Sequence, residues 1–109
     1  MRVYKIHSMK TTPHFTALLT YDSTGSGGLT APVSSDHRPV IKFPFEENLF
    51  TAVQKFSGEE ELVFPGDTVT SEVTLLQPEK LTGSLYEGMD FDFFEGDKPI
   101  GHGTITAVF

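Results

Sequence analysis

The chain has 109 residues, enough for one hydrophobic core and too few for two. It is 38% apolar, contains no cysteine and has no run of about 18 apolar residues. It therefore reads as a single globular domain, with disulfide scaffolds, thiolate zinc sites, cysteine nucleophiles and helical membrane spans excluded. The net charge is −7, split as +3 over residues 1–45 and −10 over residues 46–109, which disfavours a wide nucleic-acid grip.

Residue choice favours strands, because Thr, Val, Phe and Tyr lie in short runs between Gly, Pro and Asp. Val3–His7 is the first expected strand and Phe15–Tyr21 the second, with Phe15, Ala17, Leu19 and Tyr21 on one face. Asp22–Asp36 is rich in Gly, Ser, Thr and Pro and reads as a long surface loop, a length that usually signals binding or motion. Arg38–Phe45 resumes extended structure. Its Pro39 and Pro44 remove ladder donors and predict an edge or interrupted strand. Asn48–Phe56 comes closest to helical spacing, with Leu49, Ala52, Val53 and Phe56 on one face, and leaves a short helix open there.

Glu59–Glu61 is a charged turn region, and Phe64-Pro65-Gly66-Asp67 has turn chemistry. Thr68–Leu76 alternates cleanly, with Val69, Ser71, Val73 and Leu75 sharing a face. Gln77–Gly83 is a connection. Leu85–Phe94 is the next strand, placing Met89, Phe91 and Phe93 opposite Asp90 and Asp92. A hairpin turn at Glu95–Lys98 then leads into Ile100–Phe109, where Gly101 and Gly103 predict a bulge or a close backbone approach. About six or seven strands with this punctuation indicate an antiparallel sandwich or small closed barrel. Ten phenylalanines suit its core.

Motifs for chemistry are thin. Gly25–Thr30 (GSGGLT) lacks the Gly-Lys-Ser/Thr ending of a phosphate loop and the third glycine of a dinucleotide fingerprint, so nucleotide binding is not expected. Ser34-Ser35-Asp36-His37 holds triad residue types, but adjacent rather than converging from separate segments. His7, His14, His37 and His102 do not pair at ligand spacing. Asp90, Asp92, Glu95 and Asp97 lack the calcium-loop pattern and read as a solvated face. No catalytic residue, metal or cofactor is expected, and weight shifts to binding through loops carried on a rigid barrel.

The order of motifs resembles the third, C-terminal β-barrel domain of bacterial elongation factor Tu and related translation GTPases. The carrying segments are Phe15–Tyr21, then Gly27-Gly28 with Thr30 and Pro32, then Arg38-Pro39. Pro65-Gly66-Asp67, Pro78, Glu95-Gly96 and Gly101-x-Gly103 follow in the same order. The likeness covers residues 12–109 and leaves 1–11 as an N-terminal extension. It implies an all-β, six-stranded antiparallel Greek-key barrel without catalytic role, which in the complete factor meets aminoacyl-tRNA, the other domains and the exchange factor Ts. The sequence departs from that pattern where tRNA is held: Leu29 replaces an Arg, Val40 a Gln, and Asp97-Lys98 a Gly-Arg.

These features predict a non-enzymatic cytoplasmic binding module that takes a protein partner linked to translation. Its expected surface comprises Gly27, Gly28, Leu29, Thr30, Arg38, Val40, Glu95, Gly96, Asp97 and Lys98. Weak tRNA binding is the alternative, and an enzyme of unknown type a second; no membrane contact is expected.

Overall fold

The computed structural model describes residues 12–57 and 62–109. The expected strand at Val3–His7 and the charged turn at Glu59–Glu61 lie outside them. Among the described residues eight strands run in chain order: β1 (Phe15–Tyr21), β2 (Val33–Ser34), β3 (Val40–Lys42), β4 (Phe50–Phe56), β5 (Leu62–Val63), β6 (Thr68–Leu75), β7 (Asp90–Glu95) and β8 (Lys98–Val108). Six of them close a barrel in the order β1-β6-β4-β3-β7-β8, and β2 and β5 pair as a separate ribbon. Every pairing is antiparallel. Around the barrel β3, β4 and β6 follow one another, and β1 lies beside the last of them; this is the Greek-key order. Among the described residues no helix is long and apolar enough to cross a membrane.

Alternation drives each long strand. Phe15, Ala17, Leu19 and Tyr21 point inward from β1, and Val69, Ser71, Val73 and Leu75 from β6. The core is dominated by aromatic rings meeting edge to face, such as Phe15–Phe91 at 5.6 Å and Tyr21–Phe93 at 5.0 Å between centroids. Each buried ring contributes roughly 1.5–3 kcal/mol relative to exposure. Gly101 and Gly103 face inward on β8 and make room for these rings. A Cβ on Gly103 would lie 2.5 Å from the Phe91 ring, and one on Gly101 2.4 Å from the Phe93 ring. The close approach expected from these two glycines is therefore present.

Two expectations need correction and one is narrowed. Residues 48–56 form no helix: β4 turns Phe50, Ala52, Gln54 and Phe56 inward. Gln54 among apolar neighbours obscured the two-residue period. Of the two forms expected for Arg38–Phe45, the structure has the interrupted one rather than an edge, because β3 pairs with β4 on one side and β7 on the other. The prolines confine the strand to Val40–Lys42. Leu85–Met89 stays outside β7, which starts at Asp90, although Met89 is buried as foreseen. The segment 22–36 is also less open than a plain loop, since it carries a 3-10 turn at Thr24–Ser26 and contributes β2.

Candidate functional site

The strand directions set the two barrel ends. Tyr21, His37–Val40, Phe56, Thr68 and the β7–β8 hairpin meet at one end; Phe43–Phe50, Leu76–Met89 and Val108 meet at the other. The first end holds the long loop that leaves β1. Asp22 N–H donates to the Ile100 carbonyl, fastening the loop to β8. The 3-10 turn then ends at Gly27, whose φ of 91° suits only glycine at little cost. Gly28 presses against backbone, with its absent Cβ just 2.3 Å from the Asp22 carbonyl oxygen. Thr24 Oγ1 donates to the Leu29 carbonyl at 2.7 Å, and the Leu29 side chain packs on the core.

The loop returns through β2 and a left-handed Asp36, φ 70°, a conformation that Asp tolerates better than most residues. Asp36 N–H donates to the Gln54 carbonyl and Gln54 N–H to the His37 carbonyl, stitching the loop end to β4. Side chains join the same place. Tyr21 Oη donates to Gln54 Oε1 at 2.9 Å and lies 3.1 Å from His37 Nδ1. His37 Nε2 lies 3.1 Å from Glu95 Oε1, so the loop end is tied across to the hairpin. Tyr21 is buried, and its hydroxyl is driven well above the usual phenol range by desolvation first and the Glu95 charge second. It is a fixed donor at neutral pH. Gln54 is fully buried and its Nε2 has no hydrogen-bond partner.

The hairpin is a two-residue turn in which Glu95 faces Lys98. Gly96 at φ 63° followed by Asp97 at negative φ is the pattern of a type II′ turn, which suits the strand twist. Gly96, Asp97 and Lys98 are exposed.

The structure thus brings the Gly27–Thr30 loop and the Glu95–Lys98 hairpin to one barrel end. Val40 lies at the base of the hairpin, paired with Phe94, and Arg38 follows His37, whose ring meets Glu95. Arg38 is exposed on the wall of a groove of about 700 Å3 over β4 and β6, with Asp36, Lys55 and Glu72 around it. Val40 is half-buried on the outer side of β3, between Thr51 and Phe94. Leu29 and Gly28 turn inward, which leaves Gly27 and Thr30 as the exposed members of the loop quartet.

Sequence reasoning missed the Tyr21–Gln54–His37–Glu95 chain. One signal was readable: Gln54 is a polar residue on the apolar set of a strand, which calls for a buried partner. The far end has its own brace. Glu46 accepts from the Thr82 hydroxyl, from Thr82 N–H at 3.2 Å and from Asn48 Nδ2 at 2.8 Å. Donation from the Thr82 hydroxyl outweighs the desolvation of this buried carboxylate and holds it below the usual range. Among the described residues no group of three His, Cys, Asp or Glu side chains is placed to hold a metal ion.

The chain matches no protein-family model.

Proposed function

We propose that this chain is a non-enzymatic binding module, similar to the third domain of elongation factor Tu, that captures a protein linked to translation. The observation that carries the reading is the cross-braced barrel end. The Gly27–Thr30 loop and the Glu95–Lys98 hairpin lie at the same end of a closed barrel, and the His37–Glu95 contact ties the far end of the loop segment to the hairpin. Loops mounted this way are preorganised, so little ordering entropy is lost on binding. The closed Greek-key barrel is the fold that the motif resemblance implies, which supports the reading without identifying the partner. The same reading puts the protein in the cytoplasm.

A protein is favoured over tRNA by the side chains at this end. Asp36, Asp67, Glu95 and Asp97 are exposed there and repel phosphate; Arg38, Lys55 and Lys98 are the nearby cations among the described residues and are fewer. The test is affinity capture from lysate with the chain as bait, with and without ribonuclease, beside a hairpin variant (Asp97→Lys, Lys98→Glu). The expected result is a protein that survives ribonuclease and is lost with the hairpin variant. If bound RNA carries all captured protein with it, tRNA recognition replaces this reading.

A further inference from the structure

The β2–β5 ribbon lies outside the barrel and bears an apolar face. Val63 is buried, so Leu62 and Phe64, one residue to either side of it, project together to the opposite face. Leu62 is 49% and Phe64 52% exposed. Val33 pairs with Val63, and continuing that register sets the exposed Pro32 beside Phe64.

Phe64 stands on a stiff mount. Its N–H donates to Asp67 Oδ2 at 3.0 Å, and Asp67 N–H returns to the Phe64 carbonyl at 2.9 Å. Gly66 fills the left-handed corner at φ 95° and donates its N–H to the Tyr21 carbonyl, while Tyr21 N–H donates to the Asp67 carbonyl. An exposed aromatic ring whose backbone is fixed from both sides loses little freedom on contact, which is the character of an interface anchor. Beside it lies a shallow hollow of about 370 Å3 in which Leu62 and Val69 offer apolar wall and Asp67 a carboxylate.

We infer that the Pro32–Leu62–Phe64 face and the Asp67 hollow bind a segment of a protein partner that carries an apolar side chain next to a Lys or Arg. The inference rests on the binding-module reading and names the chemistry of its partner. Charge selects the occupant. Among the described residues Asp22, Asp36, Asp67, Glu95 and Asp97 outnumber Arg38, Lys55 and Lys98 at this end. A second copy of the chain would bring the same negative charges, and a nucleic acid or an anionic membrane would bring phosphate; all three are repelled. A cationic segment is attracted. Its aliphatic stem covers Leu62 while its head group reaches Asp67.

The test pans a phage-displayed random peptide library against the full chain, then measures the winning peptides by fluorescence anisotropy at low and high salt. Winners are expected to carry an apolar side chain within two residues of Lys or Arg and to weaken with salt. Phe64→Ser is expected to weaken them by at least about tenfold, since truncating an anchor costs that much or more. Asp67→Asn keeps an acceptor for Phe64 N–H and is expected to weaken them severalfold through the lost charge alone. Both positions are exposed, and a thermal melt verifies the fold; Leu62→Ser substitutes if Phe64→Ser unfolds the chain. Acidic winners, an absence of winners, or winners indifferent to Phe64→Ser each overturn the inference. Winners lost with the hairpin variant but not with Phe64→Ser refute the inference alone, whereas winners indifferent to both remove the binding-module reading as well.

Discussion

Tyr21→Phe deletes one oxygen and leaves the ring contacts with Phe93 and Phe56 in place. Gln54 Oε1 takes its hydrogen bond from that hydroxyl, and Gln54 Nε2 already lacks a partner. The substitution thus strands a whole amide in a position of 0% exposure. His37 Nδ1, on a side chain 12% exposed, loses the same hydroxyl partner. Leaving a buried polar group unpaired costs about 1–3 kcal/mol. A loss of about 2 kcal/mol corresponds to roughly 8–16 °C in Tm for a domain near this size. Gln54→Met in the Tyr21→Phe background removes the stranded amide at similar volume and restores most of that loss. Urea unfolding of the wild type, both single variants and the double variant closes the cycle, with stability read from midpoints at constant slope. A Tyr21→Phe loss below about 0.5 kcal/mol, or additive single effects, would show that the hydroxyl–amide contact does not hold the barrel end.

Three further outcomes follow from the same geometry. Gly103→Ala drives a methyl into the Phe91 ring and Leu19 Cδ2, and is expected to cost about 1–3 kcal/mol in urea unfolding, because overpacking a filled core forces neighbours off their rotamers. The folded-state value of Tyr21 lies above its unfolded value, so its contribution is complete below the ordinary phenol range and is lost as pH rises beyond it. Ultraviolet titration should find the Tyr21 phenolate appearing only together with unfolding, and Tyr21→Phe should remove that late step. Glu46 has the opposite sign: its folded value is depressed, so its contribution is present above the ordinary carboxylate range and lost as pH falls through the folded value. Glu46→Gln is expected to flatten the acid limb of a stability–pH curve, and an unchanged limb would exclude Glu46 as its source.

The long strands were readable because their alternation is clean, with large apolar residues filling most inward places. Phe15–Tyr21 came out with its observed ends, and β6 differed by a single residue. The final hairpin was readable from its Gly-Asp turn and the two glycines that follow. β4 failed because one polar residue, Gln54, occupies an inward place, and its justification lies on β1 and in the loop, far away in sequence. β3 was only half legible: its interruption by the prolines was readable, its two neighbours were not. Prolines mark where ladder donors stop, but whether the strand between them has one neighbour or two depends on closure, which local pattern does not carry. The candidate surface was readable as loop and hairpin, whereas the inward turn of Leu29 was not: a glycine-rich loop is expected to stay outside, and only the Gly28 backbone contact sends the next side chain to the core. Leu62 and Phe64 escaped notice because exposure, rather than identity, is what distinguishes them from the ten-phenylalanine core composition.

Closure also governs how this chain reaches its folded state. β1 pairs along nearly its whole length with β8, matching Phe15 to Val108 and Tyr21 to Gly101. During synthesis the first barrel strand therefore waits for the last before its outer ladder can form. Until then β1 and β7 each present an unpaired edge able to recruit another chain. Such distant pairings belong to the slower class of small domains, folding in about milliseconds to seconds. Emergence of β8 from the ribosome is accordingly the step that seals both edges at once, and a nascent chain stalled before Lys98 is a species for chaperones to hold.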